Sequence, residues 1–378
     1  MLTLDYIYCI INLSETFRIL FKDTSNRSTF QVASNNNIMS RQVTLKTISK
    51  QTGFSVTTVS RALTGYDDVS KETREKILEI ANELGYYPNF TARQLQKQRT
   101  DTIGLILPTY GPRFNDPYFS ELIAGIGNQL SSFGMSLLLS VQPPGPNEIS
   151  AYRHMVEGKR VDGLIIVRTR NEDERIKYLL TTTLPFVAFG RSNVGAHFNY
   201  IDEDGEAGVY ELTKYLLDLG HKRIGFISAP FNLMFANFRL AGYRKALEDH
   251  GIGFSQDYIY EGDLTRKGGE LGTKKLLSLS QKPTAIIASN DLMALSAMTY
   301  AQEIGLTIGK DLSIAGFDDV TPSDIFSLTT LRQPIYNIGC LLTSMLQKLI
   351  QNEPLEEAQI LLKPQLIIRN STGRNIES

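Results

Sequence analysis

The stretch "VTLKTISKQTGFSVTTVSRALTG", residues 43–65, predicts two short helices joined by a tight turn. Thr44 is placed to cap the first helix and Ser55 to cap the second. Gly53 lies between them, where a residue of left-handed conformation is needed to end a helix. A third helical pattern follows in "VSKETREKILEIANELGYYPN", residues 69–89. Three short helices, the first two joined at a glycine turn, predict a helix-turn-helix unit.

The second helix of this unit has an unusual outward face. The pattern places Val56, Val59 and Leu63 on its packed side, and it leaves four polar side chains outward: Thr57, Thr58, Ser60 and Arg61. Short hydroxyl side chains fit against base edges and phosphates in the major groove, and one arginine can bond guanine as a fork. From the helix pattern alone, a small surface bundle remains the alternative to DNA binding.

The distribution of charge favours a nucleic-acid partner for this unit. The whole chain of 378 residues carries a net charge of −1. Residues 40–100 nevertheless hold 10 basic and 6 acidic side chains, whereas residues 101–378 hold 26 and 31. A basic head on a larger acidic body is a local electrostatic footprint for phosphate.

The beginning of the chain has no recognisable targeting signal. "MLTLDYIYCIINLSETFRILF" is interrupted by polar residues and has no basic residue before it, so it makes a poor signal peptide or membrane span. Cys9 and Cys340 are far apart and suit a reducing compartment. We therefore expect a cytoplasmic protein in which residues 1–39 are a disordered or non-native extension, with Met39 as an alternative start.

A short helical segment links the basic unit to the rest of the chain. In "PNFTARQLQKQRT", residues 88–100, only about eight residues favour a helix, which is marginal in water unless something docks it. Leu95 is an isolated apolar side chain in this segment. It could wedge between base steps in a minor groove, or it could pack under the next domain.

From Ile103 onward, short apolar strands alternate with helical patterns. The predicted strands are "IGLILP", "MSLLLSV", "VDGLIIV", "FVAFG", "RIGFIS", "YIYEGD", "AIIASN" and "LSIAGFDD". The helices between them include "SELIAGIGNQLSSFG", "GVYELTKYLLDLG", "RLAGYRKALEDHG" and "LMALSAMTYAQEIG". Continuous apolar runs are typical of buried parallel strands. This alternation predicts an α/β body of doubly wound parallel sheets in two lobes, divided near Asp202.

Polar and aromatic side chains follow several of these strands. They are Asn115, Asp116, Tyr118 and Phe119 after the first strand, Arg239 near a helix start, and Asn290 with Asp291 after a later strand. Ligands bind such sheets at the carboxyl ends of the strands. Aromatic faces beside a carboxylate and a guanidinium suit a polyhydroxylated ring. Asp291 could instead be only a helix cap and Arg239 only a surface ion pair, while "GFDDV", residues 316–320, is interpreted as a structural turn.

The motifs of common α/β enzymes are absent from the sequence. No G-x-G-x-x-G turn, G-x-S-x-G elbow or G-x-x-x-x-G-K-[ST] loop is present, and the four histidines show no metal spacing. We therefore expect neither an enzyme nor a bound metal or cofactor. A secreted sugar receptor would need an export signal and would have no use for the basic head.

Taken together, "TLKTISKQTGFSVTTVSRAL", "VSKETREKILEIANELGYYPN" and the linker "ARQL" resemble the LacI/GalR family of bacterial transcription regulators, over residues 43–371. The resemblance implies an all-α helix-turn-helix headpiece at 40–88, a hinge at 89–100 and a two-lobed body at 101–378, like periplasmic binding proteins. Lobe 1 would comprise about 101–202 and 330–352, and lobe 2 about 203–329 and 353–371.

The resemblance also implies roles for individual residues. Val56, Thr57 and Arg61 match residues that contact bases, Leu95 matches one that inserts at the operator centre, and Tyr118, Phe119, Arg239 and Asp291 match residues of the effector pocket. With their neighbours, the candidate DNA-binding residues are Thr44, Leu45, Ser55, Val56, Thr57, Thr58, Ser60, Arg61, Asn89, Ala92, Arg93 and Leu95. The candidate effector-binding residues are Asp116, Tyr118, Phe119, Arg239, Asn290 and Asp291.

The expected function is therefore a homodimeric repressor of operator DNA, controlled by a small molecule, with a sugar as the first choice. A protein co-regulator or a non-sugar metabolite remains the alternative. Purine-responsive relatives carry polar residues where this chain has Leu233 and Phe235, which argues against a nucleobase. Some sugar-binding relatives carry an acidic residue where this chain has Gly190. Which residue of this chain would bond the corresponding pair of sugar hydroxyls therefore stays open.

Overall fold

The computed structural model describes residues 43–86, 99–109 and 117–375. The chain divides into two compact units, residues 1–90 and 91–378, which contain the headpiece and the body. The predicted extension 1–39 and most of the predicted hinge 89–100 lie outside the described residues. In the part that is described, no helix combines the length and apolar character needed to cross a membrane.

The headpiece contains the three helices that the sequence predicts. They are α1 (Leu45–Thr52), α2 (Val56–Thr64) and α3 (Lys71–Glu83). Gly53 ends α1 with φ +77°, and Ser55 Oγ accepts a 3.0 Å hydrogen bond from the Thr58 amide at the start of α2. The three helices bury a small apolar core: Ile48, Val59, Ala62, Val69, Ile77 and Ala81.

Lobe 1 of the body is built on a six-stranded parallel sheet. Its strands are β1 (Thr102–Pro108), β2 (Ser136–Gln142), β3 (Gly163–Ile166), β4 (Phe186–Phe189), β5 (Tyr200–Glu203) and β11 (Gln359–Leu362). Their spatial order is β11-β5-β4-β3-β1-β2. The helices of this lobe are α4 (Pro117–Ser132), α5 (Pro146–Glu157), α6 (Glu174–Leu180) and α12 (Ile335–Ile350).

Lobe 2 repeats this architecture. Its strands are β6 (Ile224–Ser228), β7 (Ile259–Glu261), β8 (Ala285–Ala288), β9 (Ser313–Asp318), β10 (Thr329–Arg332) and β12 (Gln365–Ile367). Their order is β12-β10-β9-β8-β6-β7, and only the β10–β12 pair is antiparallel. Its helices are α7 (Gly205–Asp218), α8 (Met234–Asp249), α9 (Arg266–Leu277), α10 (Asp291–Glu303) and the short α11 (Pro322–Ile325), with a 3₁₀ turn at Gln256–Tyr258.

The sheets correct the predicted lobe boundaries. Glu203 ends β5 and belongs to lobe 1, whereas 329–332 pairs with β9 in lobe 2 and 359–362 pairs with β5 in lobe 1. The chain therefore crosses between the lobes three times. The crossings follow Glu203, join β10 to α12 at 333–334, and join β11 to β12 at 363–364. The sequence missed β5, β10, β11 and β12 because they are short and lack a continuous apolar run.

In each sheet the strand order reverses beside the first strand of the lobe. The reversal lies between β1 and β3 in lobe 1 and between β6 and β8 in lobe 2. Loops diverge to opposite faces at such a point and leave a crevice at the carboxyl ends of the strands. The architecture therefore directs the strand-end residues of both lobes toward one cleft.

Candidate functional sites

The first candidate site is the outward face of α2. Thr57 and Arg61 are exposed there, and Thr58 and Ser60 are partly exposed, as predicted. Val56 differs from the packed position that its spacing suggested, because its side chain is 39% exposed. Its place at the first turn, before the helix meets the core, leaves it facing outward. An exposed valine beside threonines can contact the apolar edge of a base, such as a thymine methyl group.

Arg61 has a local partner that the sequence did not indicate. Its guanidinium forms an ion pair with Asp68, in the loop after α2, and lies 5.9 Å from the Tyr66 ring centroid. Both charged side chains are about half exposed. Ion pairs at such positions contribute about 0–1 kcal/mol, so a guanine base or a phosphate can replace Asp68 as the partner of Arg61.

The structure describes only some of the remaining candidates for DNA contact. Thr44 is exposed at the N-cap of α1, and Leu45 is partly buried against the headpiece core. Asn89, Ala92, Arg93 and Leu95 lie outside the described residues, and their assignment stays a prediction.

The second candidate site is a cavity between the two lobes of the body, with a volume of about 550 Å³ including its open mouth. Lobe 1 contributes Tyr118, Phe119, Val167, Arg168, Thr169, Phe189, Gly190, Asp202 and Glu203. Lobe 2 contributes Phe235, Arg239, Leu264, Asn290, Asp318 and Gln333. Most of these residues follow the carboxyl ends of strands, where the fold predicts a ligand.

Aromatic rings form one wall of the cavity. Tyr118 and Phe119, at the start of α4, meet edge to face with ring centroids 5.4 Å apart. Tyr118 also stacks on Phe189 at 6.2 Å, and Phe235 lines the cavity from the other lobe. Tyr118 and Phe119 therefore line the cavity, and their contact with a ligand stays a prediction, whereas Asp116 lies outside the described residues.

Arg239 reaches into the cavity from α8 and connects the lobes. Its Nη2 lies 2.6 Å from Glu203 Oε1, and Nη1 donates to the Ser289 carbonyl. The guanidinium is sandwiched by aromatic rings, with Phe317 at 3.5 Å and Phe235 at 4.5 Å. Arg239 is buried, so the alternative of a surface ion pair is wrong. No sequence pattern indicated Glu203 as its partner.

Asp291 does not line the cavity, which corrects the predicted ligand contact. Its carboxylate is fully buried inside lobe 2 and accepts three hydrogen bonds. The donors are Ser323 Oγ at 2.5 Å, Thr330 Oγ1 at 2.6 Å and the Val320 amide at 3.1 Å. The side chain leaves the first turn of α10 on the side away from the cleft, so it fixes the segment after β9 instead of meeting a ligand.

Asp318 occupies the place in the cavity that the sequence assigned to Asp291. It ends β9, lines the cavity and accepts a 2.7 Å hydrogen bond from Gln333 Nε2. Its φ of +116° turns the chain sharply at this point. The neighbouring Asp319 carboxylate instead pairs with Arg332 and Arg369, so only the second aspartate of "GFDDV" has the purely structural role predicted for both.

Asn290 combines a structural and a cavity-lining role. Its Oδ1 accepts a 3.0 Å hydrogen bond from the Met293 amide, which caps α10, and its Nδ2 donates to the Leu264 carbonyl at 3.2 Å. It is buried and still borders the cavity, as predicted. These two bonds fix the orientation of its amide at the edge of the cavity.

Gly190, where the family resemblance raised the possibility of an acidic residue, has a backbone conformation that excludes one. Its φ is +115°, a conformation that side chains rarely adopt, and an ideal Cβ would lie 2.3 Å from Thr169 Oγ1. An aspartate therefore cannot replace it without moving the strand-end loop. The hydroxyl of Thr169 takes the position where such a side chain would begin.

Two adjacent carboxylates lie at the end of β5. Burial and the neighbouring Glu203 raise the pKa of Asp202 well above its ordinary value, although Arg191 opposes the shift. Arg191 Nε lies 2.7 Å from Asp202 Oδ2, and its guanidinium stacks on Phe238 at 3.6 Å. Both acidic residues thus have an arginine partner, one on each side of the strand end.

A helix-turn-helix headpiece and a two-lobed body with a cleft define the class of ligand-responsive DNA-binding regulators. Residues 44–89 match the family of bacterial regulatory proteins named after lacI, and residues 213–372 match the periplasmic binding protein-like domain. The chain is 33% identical over 337 residues to the HTH-type transcriptional regulator AglR of Rhizobium meliloti (strain 1021), covering 88% of this chain and 94% of that protein. It is 33% identical over 331 residues to the HTH-type transcriptional repressor PurR of Histophilus somni (strain 129Pt), covering 87% and 98%.

Solved structures agree with these sequence relationships. The lac repressor dimer bound to operator and the anti-inducer ONPF has a TM-score of 0.78 and 29% identity, covering 88% of this chain and 99% of that one. The complex of the transcriptional regulator CelR with cellobiose has a TM-score of 0.68 and 29% identity, covering 87% and 99%. The chain belongs to the LacI family of DNA-binding transcriptional regulators with an effector-binding body.

Proposed function

We propose that this regulator is a homodimeric repressor that binds its operator through α2 and is controlled by a sugar in the interlobe cavity. The observation that carries the proposal is the composition of that cavity, an aromatic wall facing polar groups from both lobes. The C–H face of a sugar lies against aromatic rings, while its hydroxyls bond carboxylate, amide and guanidinium groups. A ligand held by both lobes favours one lobe arrangement over another, which is the requirement for control.

One solved relative and two side chains support a sugar. The structure of CelR, a regulator of similar fold, contains cellobiose. In this chain Leu233 is buried in lobe 2 and Phe235 presents an aromatic side chain to the cavity; the family resemblance led us to expect polar residues at these two positions in a purine-responsive regulator. Hydrogen-bonding partners for a base are therefore replaced by a surface suited to a sugar ring.

The size of the recognition element supports a dimer. α2 has nine residues, and a helix of this length contacts only a few base pairs. Two copies on paired half-sites double the contacted sequence and give the selectivity that a regulator needs. Gel filtration with light scattering, followed by titration of a palindromic operator, tests this part of the proposal.

The sugar proposal is tested directly by ligand-induced stabilisation. A thermal-shift screen of neutral mono- and disaccharides, including cellobiose, should raise the melting temperature for at least one sugar, because a ligand of the folded state stabilises it. The same sugar should weaken operator binding in a gel shift. A sugar panel without any stabilisation would refute the sugar effector and leave the alternatives, a non-sugar metabolite or a protein co-regulator.

Substitution of Arg61 by alanine is expected to weaken operator binding by about 1–3 kcal/mol and to relax preference at one base position. The reason is the loss of a forked contact with a base edge from the outward face of α2. Fluorescence anisotropy with operator and with single-base variants of it measures both effects.

The matched control for Arg61 is Asp68→Ala, which removes the same surface ion pair without removing the arginine. This variant should keep the base preference of the wild-type protein. If Arg61→Ala leaves base preference intact, or if both variants change it equally, the assignment of Arg61 to base contact is wrong.

Substitution of Asp318 by asparagine is expected to weaken the sugar at least about tenfold without changing operator affinity in the absence of sugar. A hydrogen bond to a charged group contributes about 1.5–3 kcal/mol, and tenfold corresponds to about 1.4 kcal/mol. Calorimetry with the sugar identified in the screen gives the affinity. Asp324→Asn, an exposed aspartate on α11, serves as the control; equal sugar affinity in Asp318→Asn and wild type would remove Asp318 from the binding site.

A further inference from the structure

An ion pair crosses the interlobe cavity and engages Arg239, an arginine that could otherwise bind an anion. Glu203 ends β5 in lobe 1, Arg239 lies on α8 in lobe 2, and Nη2 and Oε1 are 2.6 Å apart. The side chains are 7% and 5% exposed, respectively, so water screens the pair very little. Both residues line the cavity, which makes the pair part of the ligand site.

Both amino groups of Arg239 already have a partner inside the protein. One bonds Glu203, the other bonds the Ser289 carbonyl, and the guanidinium carbon lies 4.5 Å from the Phe235 ring centroid and 3.5 Å from that of Phe317. Recognition of a phosphate or carboxylate by arginine is typically bidentate and needs two free N–H groups on one edge. An anion that took the amino group bonded to Glu203 would have to displace that carboxylate, which would leave it buried without its partner.

The other charged groups of the cavity do not supply an excess of positive charge. Asp202 and Asp318 line it together with Glu203, whereas Arg168 is the second arginine of the lining. Arg191, outside the lining, pairs with Asp202. Even without Asp202, whose raised pKa disfavours its charged form, Glu203 and Asp318 match Arg168 and Arg239 in number, so the lining residues carry no excess of positive charge.

Two buried polar atoms of the lining residues have no hydrogen-bond partner within the described part of the chain. They are Gln333 Oε1, an acceptor, and Arg239 Nε, a donor. Both residues are nearly fully buried. A hydroxyl group can donate to the first and accept from the second, whereas a phosphate dianion or a carboxylate can only accept. A phosphate or carboxylate group placed against Gln333 would therefore leave its oxygen unsatisfied, whereas a hydroxyl group there would not.

We propose that Glu203 is a specificity-determining residue, which admits neutral polyhydroxylated effectors and rejects the phosphorylated or carboxylated forms of the same sugars. This inference rests on the proposed function of the cavity as the sugar site. Glu203 occupies the arginine edge that an anion needs, and its own charge repels the anion. In its absence Arg239 would present a free cationic edge to the ligand.

The test is calorimetry on the full chain with paired probes of equal ring structure. Suitable pairs are glucose with glucose 6-phosphate and with glucuronate, and galactose with galactose 6-phosphate and with galacturonate, alongside cellobiose. Wild-type protein should bind at least one neutral probe and should bind the anionic partner of that probe at least 100-fold more weakly. In Glu203→Gln, which keeps the shape of the side chain, this ratio should fall at least tenfold in favour of the anion.

The control variant is Glu211→Gln, an exposed glutamate that pairs with Lys363 on the surface; its ratio should equal that of the wild type. An anionic probe that binds wild type as tightly as its neutral partner would overturn the filter while leaving the sugar site in place, as would an unchanged ratio in folded Glu203→Gln. If Glu203→Gln fails to fold, the test uses the affinity ratio of the wild type and that of Glu203→Asp. Glu203→Asp keeps the charge, so it should still bind the anionic probe more weakly than the neutral one. Binding of no probe of either charge would overturn the sugar site and the filter with it.

Discussion

Replacement of Arg175 by methionine is expected to lower the free energy of unfolding of the body by about 3–5 kcal/mol, because it leaves the buried Asp173 carboxylate without its ion-pair partner and Glu148 with Arg170 alone. Arg175, Glu148 and Asp173 have fully buried side chains in lobe 1. The guanidinium lies 2.9 Å from Glu148 and 2.6 Å from Asp173. Burial alone raises the pKa of Asp173, but the hydrogen bond and charge of Arg175 outweigh it and hold that pKa below its ordinary value.

The same arginine also positions the ligand cavity. Its two remaining N–H groups donate to the carbonyls of Val167 and Arg168, at 3.2 and 2.9 Å, so that all five of its donors are used. Val167 and Arg168 line the cavity, and Arg168 holds a left-handed φ of +51°. The methionine variant should therefore lose sugar affinity as well as stability.

Urea unfolding followed by circular dichroism measures the effect of Arg175→Met. The matched control is Lys177→Met on the same helix, whose exposed amino group pairs only with Glu172 and Glu174 at the surface and should leave the unfolding midpoint unchanged. A loss of less than about 1 kcal/mol in Arg175→Met would show that the cluster contributes little to the stability of lobe 1.

Substitution of Asp291 by alanine is expected to lower the free energy of unfolding by about 3 kcal/mol, since each buried donor left without an acceptor costs about 1–3 kcal/mol. Three donors depend on this carboxylate: Ser323, Thr330 and the Val320 amide. The effect should appear as lost stability and not as a selective loss of ligand binding. A stable Asp291→Ala variant that fails only to bind sugar would restore the direct ligand contact predicted from the sequence.

Asp291 should also make stability depend on pH. Burial raises its pKa to about 7, although the three hydrogen bonds oppose the shift. Between about pH 4 and pH 7 the folded state then holds a proton that the unfolded state releases, so stability falls as pH rises through this window. Relative to Asp291→Asn, which cannot ionise, wild type should lose stability from pH 5 to pH 7. Above pH 8 the stability profiles of the two proteins should run parallel. Urea unfolding at each pH, with Asp324→Asn as control, gives the two profiles; parallel profiles throughout would contradict the raised pKa.

Short-range signals predicted the headpiece because its helix ends depend on neighbouring residues. Ser55 and Ser70 cap their helices by bonding amides three residues ahead, and Gly53 adopts its left-handed conformation within one turn. Val56 is the exception, since its spacing fits the packed face but its position in the first turn lies beyond the reach of the core. Helical spacing fixes an angle around the axis and not the distance from a neighbouring helix.

The sequence by itself determined the class of the body, because buried parallel strands need continuous apolar runs and helices need an apolar stripe. It also placed the candidate ligand-binding residues after the carboxyl ends of strands. Asp291 and Asp318 both carry that signal, since each follows a buried strand of lobe 2. Only the packing of α10 against the segment after β9 turned the first carboxylate inward and left the second facing the cleft.

Tertiary structure alone decided the contacts that cross between lobes. Glu203 and Arg239 belong to different sheets, and the last two strands exchange lobes, with β11 completing one sheet and β12 the other. Such pairings depend on where three chain crossings place the lobes, and no local pattern encodes that distance. The chemistry of the cavity was therefore visible in the residue types, whereas the partner of each charge emerged only when both lobes were folded together.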